Sequence, residues 1–116
     1  MSAANTLSTP SLAASITGAY AISPKALLYS DGAGATPAIL NGFNIASIDG
    51  TSATGVYIIT FSTAFPDTNY VVVASSPNRI ALATPTSTTT ATVSLFTVAS
   101  PPVAQDGVFS MTVFRA

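Results

Sequence analysis

Between residues 25 and 115, apolar and polar positions alternate in short runs that are separated by turn-forming residues. Tyr57, Ile59 and Phe61 alternate along one run, and Tyr70 and Val72 continue the alternation in the next. A period of two is typical of β-strands, and no window of helix length shows a competing helical period. The pattern predicts an all-β chain folded as an antiparallel β-sandwich of about seven strands.

Glycine, proline, asparagine and aspartate set the ends of the predicted strands. The strands are expected at 25–30, from Ile39 through Ile45 to a turn at 49–52, and at 55–63, 69–75, 79–84, 89–98 and 108–115. We expect 55–63 and 69–75 to form a β-hairpin whose connection runs from Phe65 to Asn69. The Asp67 side chain is expected to cap a type I turn in this connection.

Two of the predicted strands are apolar on both faces. In 89–98, Val93 and Leu95 lie opposite Phe96 and Val98; in 108–115, Phe109, Met111 and Val113 lie opposite Val108 and Phe114. A strand of an isolated antiparallel sandwich usually has one apolar and one polar face. Two interpretations remain open: the second face packs on a partner, or the strand is an internal one that is buried on both faces.

The sequence divides into an N-terminal arm, residues 1–24, and a β-sandwich domain, residues 25–116. The arm is rich in Ala, Ser and Thr, lacks the positive start and continuous apolar core of a signal peptide, and favours an extended conformation. We expect it to anchor the domain on a neighbouring subunit, and the alternative is that it folds back on its own sandwich. Its candidate partner-binding residues are spaced four apart: Leu12, Ile16 and Tyr20.

Charge is scarce in this chain. Charged residues make up 6% of it and hydrophobic residues 48%, whereas about 25% of the residues in an ordinary soluble domain are charged. So few charges cover little of a small domain's surface, which favours packing against other subunits. The alternative is a monomer with a hydroxyl-rich surface.

The side chains also limit the chemistry. The chain has no Cys, His, Glu or Trp, so it lacks the usual groups of general acid–base and nucleophilic catalysis, and we predict that it is not an enzyme. Zinc ligands are missing and no calcium-loop spacing occurs, so no metal or other cofactor is expected. A net charge of −1 argues against nucleic-acid binding, and no apolar run reaches membrane-spanning length.

Arginine supplies two further candidate partner-binding residues. Arg79 and Arg115 each carry a guanidinium group that can bind a carboxylate through two hydrogen bonds. The alternative for each is a solvated surface charge. Four tyrosines could offer stacking faces to a sugar: Tyr20, Tyr29, Tyr57 and Tyr70. The strand alternation of Tyr57 and Tyr70 favours packing in the core.

Residues 55–73 combine Gly-x-Tyr-x-x-x-Phe-Ser with Phe-Pro-Asp-x-Asn-Tyr-x-Val, and residues 108–115 read Val-Phe-Ser-Met-Thr-Val-Phe-Arg. Together these motifs resemble small β-sandwich modules of tailed-phage virion proteins, including cyanophage tail-fibre and decoration proteins. The resemblance covers about residues 25–116 and extends in fold to H-type lectins.

This resemblance implies a structural virion protein, made in the host cytoplasm and carried on the outer surface of the particle. As a capsid decoration or cement protein it would bind neighbouring subunits, above all the major capsid protein, through its arm and its apolar sheet faces. Modules of this kind are commonly threefold, so a homotrimer is expected. The alternative is a receptor-binding tail-fibre tip in which the lectin-like sandwich binds a glycan.

Overall fold

The computed structural model describes residues 23–115, which contain strands and no helix. The eight strands are β1 Pro24–Ser30, β2 Ile39–Phe43, β3 Ile45–Ala53, β4 Val56–Phe61, β5 Val71–Ser75, β6 Ile80–Pro85, β7 Thr90–Phe96 and β8 Phe109–Phe114. Two four-stranded antiparallel sheets result: sheet A in the order β2-β1-β8-β5, and sheet B in the order β3-β4-β7-β6. The predicted antiparallel β-sandwich is confirmed, with one strand more than expected.

The core lies between the two sheets and follows the alternation in the sequence. Sheet A contributes alternate residues of β1 and β8, such as Leu28 and Met111, and sheet B contributes alternate residues of β4 and β7, such as Ile59 and Val93; all four are fully buried. Burying one such side chain stabilises a fold by roughly 1.5–3 kcal/mol. The alternation therefore fixes which face of each strand points inward.

The additional strand comes from the segment between Ile39 and Ala53, where the predicted turn at 49–52 was wrong. Strand β3 continues through these residues, and the chain reverses at Thr54 and Gly55 instead. Asp49 does make the local contact expected of a turn, since its Oδ1 accepts hydrogen bonds from the Thr51 amide at 2.8 Å and the Thr51 hydroxyl at 2.6 Å. This contact accompanies a register shift in the pairing with β4 rather than a reversal.

The hairpin predicted for residues 55–75 was also wrong. Strand β4 pairs with β3 and β7 in sheet B, whereas β5 pairs with β8 in sheet A, so the connection crosses from one sheet to the other. Aromatic side chains pack together where the β4–β5 connection passes between the sheets. The ring centroids of Phe61 and Phe65 are 4.9 Å apart, and those of Phe65 and Tyr70 are 4.7 Å apart. Burial of these rings at the end of the core favours the crossing over a hairpin.

The Tyr57 hydroxyl closes one end of the sandwich. It lies 2.7 Å from the Gly32 carbonyl oxygen and 3.0 Å from Asp106 Oδ1, either of which can accept its proton, and it accepts a hydrogen bond from the Gly107 amide at 3.3 Å. Asp106 Oδ1 also accepts a hydrogen bond from the Gly55 amide at 2.7 Å. One buried hydroxyl thus joins the β1–β2 loop to the β7–β8 loop, and through Asp106 to the β3–β4 turn.

The remaining strands lie within two residues of their predicted bounds. Strand β1 begins at Pro24, one residue earlier than the predicted start of the domain.

Candidate functional site

The outer face of sheet A carries large apolar side chains that do not pack in the core. Ala26, Leu28 and Ser30 of β1 point inward and are fully buried, so the alternate residues of this strand point outward. We define the apolar face as the outward residues of β1, β2 and β5 that remain 39% to 60% exposed: Leu27, Tyr29, Phe43, Val71 and Val73.

Strand register makes this face continuous. Leu27 is paired with Phe43 on one side and with Thr112 on the other, and Thr112 is paired in turn with Val73. These four residues form one row across all four strands of sheet A. With strands about 4.8 Å apart, the row spans roughly 15 Å.

A second row lies beside the first and is more polar. It runs from Asn41 through Tyr29 and Ser110 to Ser75, and the hydroxyls of Ser110 and Ser75 are 3.0 Å apart. Lys25, at the start of β1, is the one charged residue in the strands of sheet A. The centre of the apolar face therefore combines apolar groups with uncharged hydrogen-bonding groups.

Sheet B has an apolar groove on its own outer side. The groove is lined by Ile80, Leu82, Phe96 and Pro102, has a volume of about 300 Å³ and is open to solvent. Ile80 and Leu82 are 40% and 58% exposed, and Ile80 is paired with Phe96 on β7. Both sheets thus carry apolar surface on the side away from the core.

These faces bear on the two interpretations of the strands that are apolar on both sides. Strands β7 and β8 are internal in their sheets and bury one face completely through Val93, Leu95, Phe109, Met111 and Val113. Their opposite faces are partly exposed, as Phe96 and Phe114 are half-buried. In the described part of the chain, the second face of β7 and of β8 is therefore partly exposed, although both strands are internal in their sheets.

Arg115 is held by an ion pair within the chain. Its Nη2 lies 2.8 Å from Asp67 Oδ2, and its Nε donates to Asp67 Oδ1 at 3.3 Å. The hydrogen bond from Arg115, followed by one from the Asn69 amide, lowers the pKa of Asp67, and the same pairing raises the pKa of Arg115. Asp67 thus caps its turn as predicted and also fixes the end of β8 through Arg115.

Arg79 is half-buried and also contacts its own chain. Its Nε donates to the Asp106 carbonyl oxygen at 3.2 Å, and its Nη1 donates to the Asn78 carbonyl oxygen at 3.0 Å. Its side chain packs against Gly107, where an added Cβ would lie 3.0 Å from Arg79 Cγ. The structure therefore brings neither arginine onto the apolar face, and their roles in partner binding remain predictions.

The other predicted partner-binding residues, Leu12, Ile16 and Tyr20, lie outside the described residues. Within residues 23–115, no group of three or more His, Cys, Asp or Glu side chains could hold a metal ion. No helix in this part of the chain is long and apolar enough to cross a membrane.

No family model, curated protein or solved structure matches this chain. The resemblance to phage virion modules therefore stays a prediction.

Sequence reasoning missed the apolar face, although the sequence carries a signal for it. Leu27 follows Ala26 and precedes Leu28, and Val71, Val72 and Val73 are consecutive. Unbroken apolar runs inside strands place apolar side chains on both faces. We predicted strands with two apolar faces at 89–98 and 108–115. The most exposed apolar residues of sheet A come instead from β1, β2 and β5.

Proposed function

We propose that this chain is a structural assembly protein of a tailed-phage virion, and that it acts by burying the outer faces of its sheets against other subunits. The observation that carries the proposal is the apolar surface on both sheets: the apolar face of sheet A and the groove of sheet B. Charged residues are 6% of the chain, so little repulsion or desolvation of charge opposes contact at these surfaces.

The binding mechanism follows from the sheets. A four-stranded sheet with a packed core presents its outer side chains in fixed positions, so little ordering is needed when a partner binds. The apolar groups contribute through burial, while hydroxyls such as those of Ser110 and Thr112 can hydrogen-bond across the contact. Contact energy is then spread over an area, and no catalytic group is required.

The position in the particle rests on the resemblance of residues 25–116 to phage virion modules. We propose a decoration or cement protein on the outer surface of the head, whose copies associate with one another and contact the major capsid protein. In this arrangement the N-terminal arm adds a second attachment through Leu12, Ile16 and Tyr20.

The alternative, a receptor-binding tail-fibre tip, requires hydrogen-bonding groups arranged around a sugar. The groove of sheet B is lined by the side chains of three apolar residues and a proline, and sugar hydroxyls gain little from such a surface. The groove of sheet B therefore does not favour this alternative.

The copy number of the chain in purified particles tests the proposal. Quantitative mass spectrometry would compare its peptides with those of the major capsid protein. A decoration protein is expected at a copy number close to that of the capsid protein or a simple fraction of it. A copy number of a few chains per particle would place the protein on the tail, and absence from the particle would overturn the virion role itself.

A further inference from the structure

We infer that the apolar face of sheet A is the surface through which copies of this chain pack on one another. This inference deepens the proposed function, and it rests on that function's claim that the chains associate. The occupant is a second copy of the same chain, which places its own apolar face against the first. Such a face-to-face contact is twofold and buries the same surface on both chains, so it forms a dimer, whereas the homotrimer that the resemblance implies would need two different surfaces on each chain.

The size and composition of the apolar face fit this role. Five side chains that are about half exposed leave on the order of 100 Å² each in solvent, or on the order of 500 Å² together. A standard interface buries about 800 Å² on each partner, of which roughly 65% is apolar in homodimers. The apolar face supplies that share, and the polar row of Asn41, Ser75 and Ser110 supplies much of the remainder.

The distribution of charge also favours a second copy. Two identical surfaces that meet face to face bring each charge near a like charge or bury it without a partner. Sheet A limits this effect to one group, because its strands contain a single charged residue, Lys25, which is exposed at the second position of β1, toward one end of the outer face. The ion pair between Asp67 and Arg115 lies beyond the end of β8 and is satisfied within the chain.

Residues 1–22, which precede the described structure, are the main alternative occupant. An extended segment carries unpaired N–H and C=O groups, and these need partners when the segment is buried. The face of a sheet offers side chains rather than a ladder of backbone groups, whereas a sheet edge offers the ladder. An extended arm would thus bind better along the edge strands β2 or β5 than across the row from Phe43 to Val73.

Site-specific labelling tests the inference, because the chain has no cysteine. The Val73→Cys variant places a thiol on the apolar face, and the Val103→Cys variant is its matched control. The two valines are similarly exposed, at 53% and 60%. Val103 lies in the β7–β8 connection, away from the outer face of sheet A. The rate of maleimide labelling is measured for each full-length variant over a range of protein concentrations. Light scattering gives the mass of the species at each concentration, and circular dichroism checks the fold.

The expected result is that labelling at position 73 slows by about tenfold as mass rises with concentration, while labelling at position 103 stays constant. Fast labelling of both thiols in a species that remains monomeric would overturn the inference. Protection of position 73 at every concentration in a monomer would overturn it too, and would assign the face to residues 1–22. Equal slowing at both positions would mean that the protection is not specific to the apolar face, and it would also refute the inference.

A second variant gives an independent readout. Val73→Lys puts a charge within the proposed contact and should shift the oligomer toward monomer by at least tenfold in dissociation constant, whereas Val103→Lys should not. Association that is unchanged in folded Val73→Lys would contradict the inference. All of these measurements use the purified chain without particles, so their failure is distinct from a failure of the copy-number measurement.

Discussion

Replacing Tyr57 with phenylalanine should destabilise the sandwich although the ring stays in place. The Tyr57 ring is fully buried and lies 4.8 Å from the ring of Phe109, a contact that phenylalanine keeps. The variant removes only the hydroxyl, which bonds Gly32 or Asp106 as donor and Gly107 as acceptor. Its effect therefore measures how strongly this hydroxyl joins the loops.

The size of the expected loss in stability depends on the buried groups that no longer have a hydrogen-bond partner in Tyr57→Phe. Asp106 Oδ1 keeps its hydrogen bond from Gly55, but the Gly32 carbonyl and the Gly107 amide lose the bonds that the hydroxyl made with them. A buried polar group left without a partner costs about 1–3 kcal/mol. We expect a loss of about 2 kcal/mol in the free energy of unfolding, or roughly a 10 °C fall in Tm for a domain of this size.

Chemical denaturation at fixed protein concentration measures this loss, because association would otherwise add its own concentration dependence. At a concentration where the chain is monomeric, Tyr29→Phe is the matched control, since Tyr29 is then 46% exposed and its variant should lie within about 0.5 kcal/mol of the natural chain. Should Tyr57→Phe be as stable as Tyr29→Phe, the hydroxyl would not hold the loops, and the reasoning would be refuted.

Alkaline pH provides a second test of the same residue. Burial raises the pKa of Tyr57 from its ordinary 10.0 to about 12. Because the folded pKa lies above the unfolded one, the stability contributed by the neutral hydroxyl is complete below pH 10.0 and is lost as pH rises toward about 12. The natural chain should lose more stability than Tyr57→Phe over this range. Some loss should persist in the variant, because burial also raises the pKa of Tyr70.

Two further predictions concern the loops and the ion pair. Gly32→Ala should destabilise the domain more than Gly34→Ala. Both glycines have positive φ, at 59° and 66°, but an added Cβ at Gly32 would clash with the Gly107 carbonyl oxygen, whereas at Gly34 nothing lies within 4 Å. Strain at positive φ costs roughly 1–2 kcal/mol in each variant, and displacing the Gly107 loop should add at least about 1 kcal/mol at Gly32; equal Tm values for the two variants would contradict this. The lowered pKa of Asp67 predicts that its contribution to stability is complete above its ordinary pKa of 3.8 and is lost as pH falls through the folded value. The Tm values of the natural chain and of Asp67→Asn should therefore converge as the pH is lowered below 3.8. A Tm difference that stays constant down to about pH 2 would show that the carboxylate contributes no pH-dependent stability.

Local chemistry in the sequence determined the strands but not how all of them are connected. Alternation identified Tyr57, Ile59 and Phe61 as one buried face, and turn residues set most strand ends to within two residues. Alternation reports only the environment of a single strand, so it cannot say which strand lies beside it. The stretch from Gly55 to Val73 therefore looked like a hairpin, although its two arms belong to different sheets.

Composition also indicated that apolar side chains would remain at the surface of one small domain, but it could not locate them. Its position depends on pairing across strands: Leu27, Phe43 and Val73 are far apart in the sequence and meet in one row only because β2, β1, β8 and β5 are neighbours. The ion pair between Asp67 and Arg115 likewise joins residues 48 positions apart. The sequence by itself determined the period, the inward faces and the scarcity of charge, whereas the tertiary structure decided which exposed side chains share a surface, because only long-range pairing brings them together.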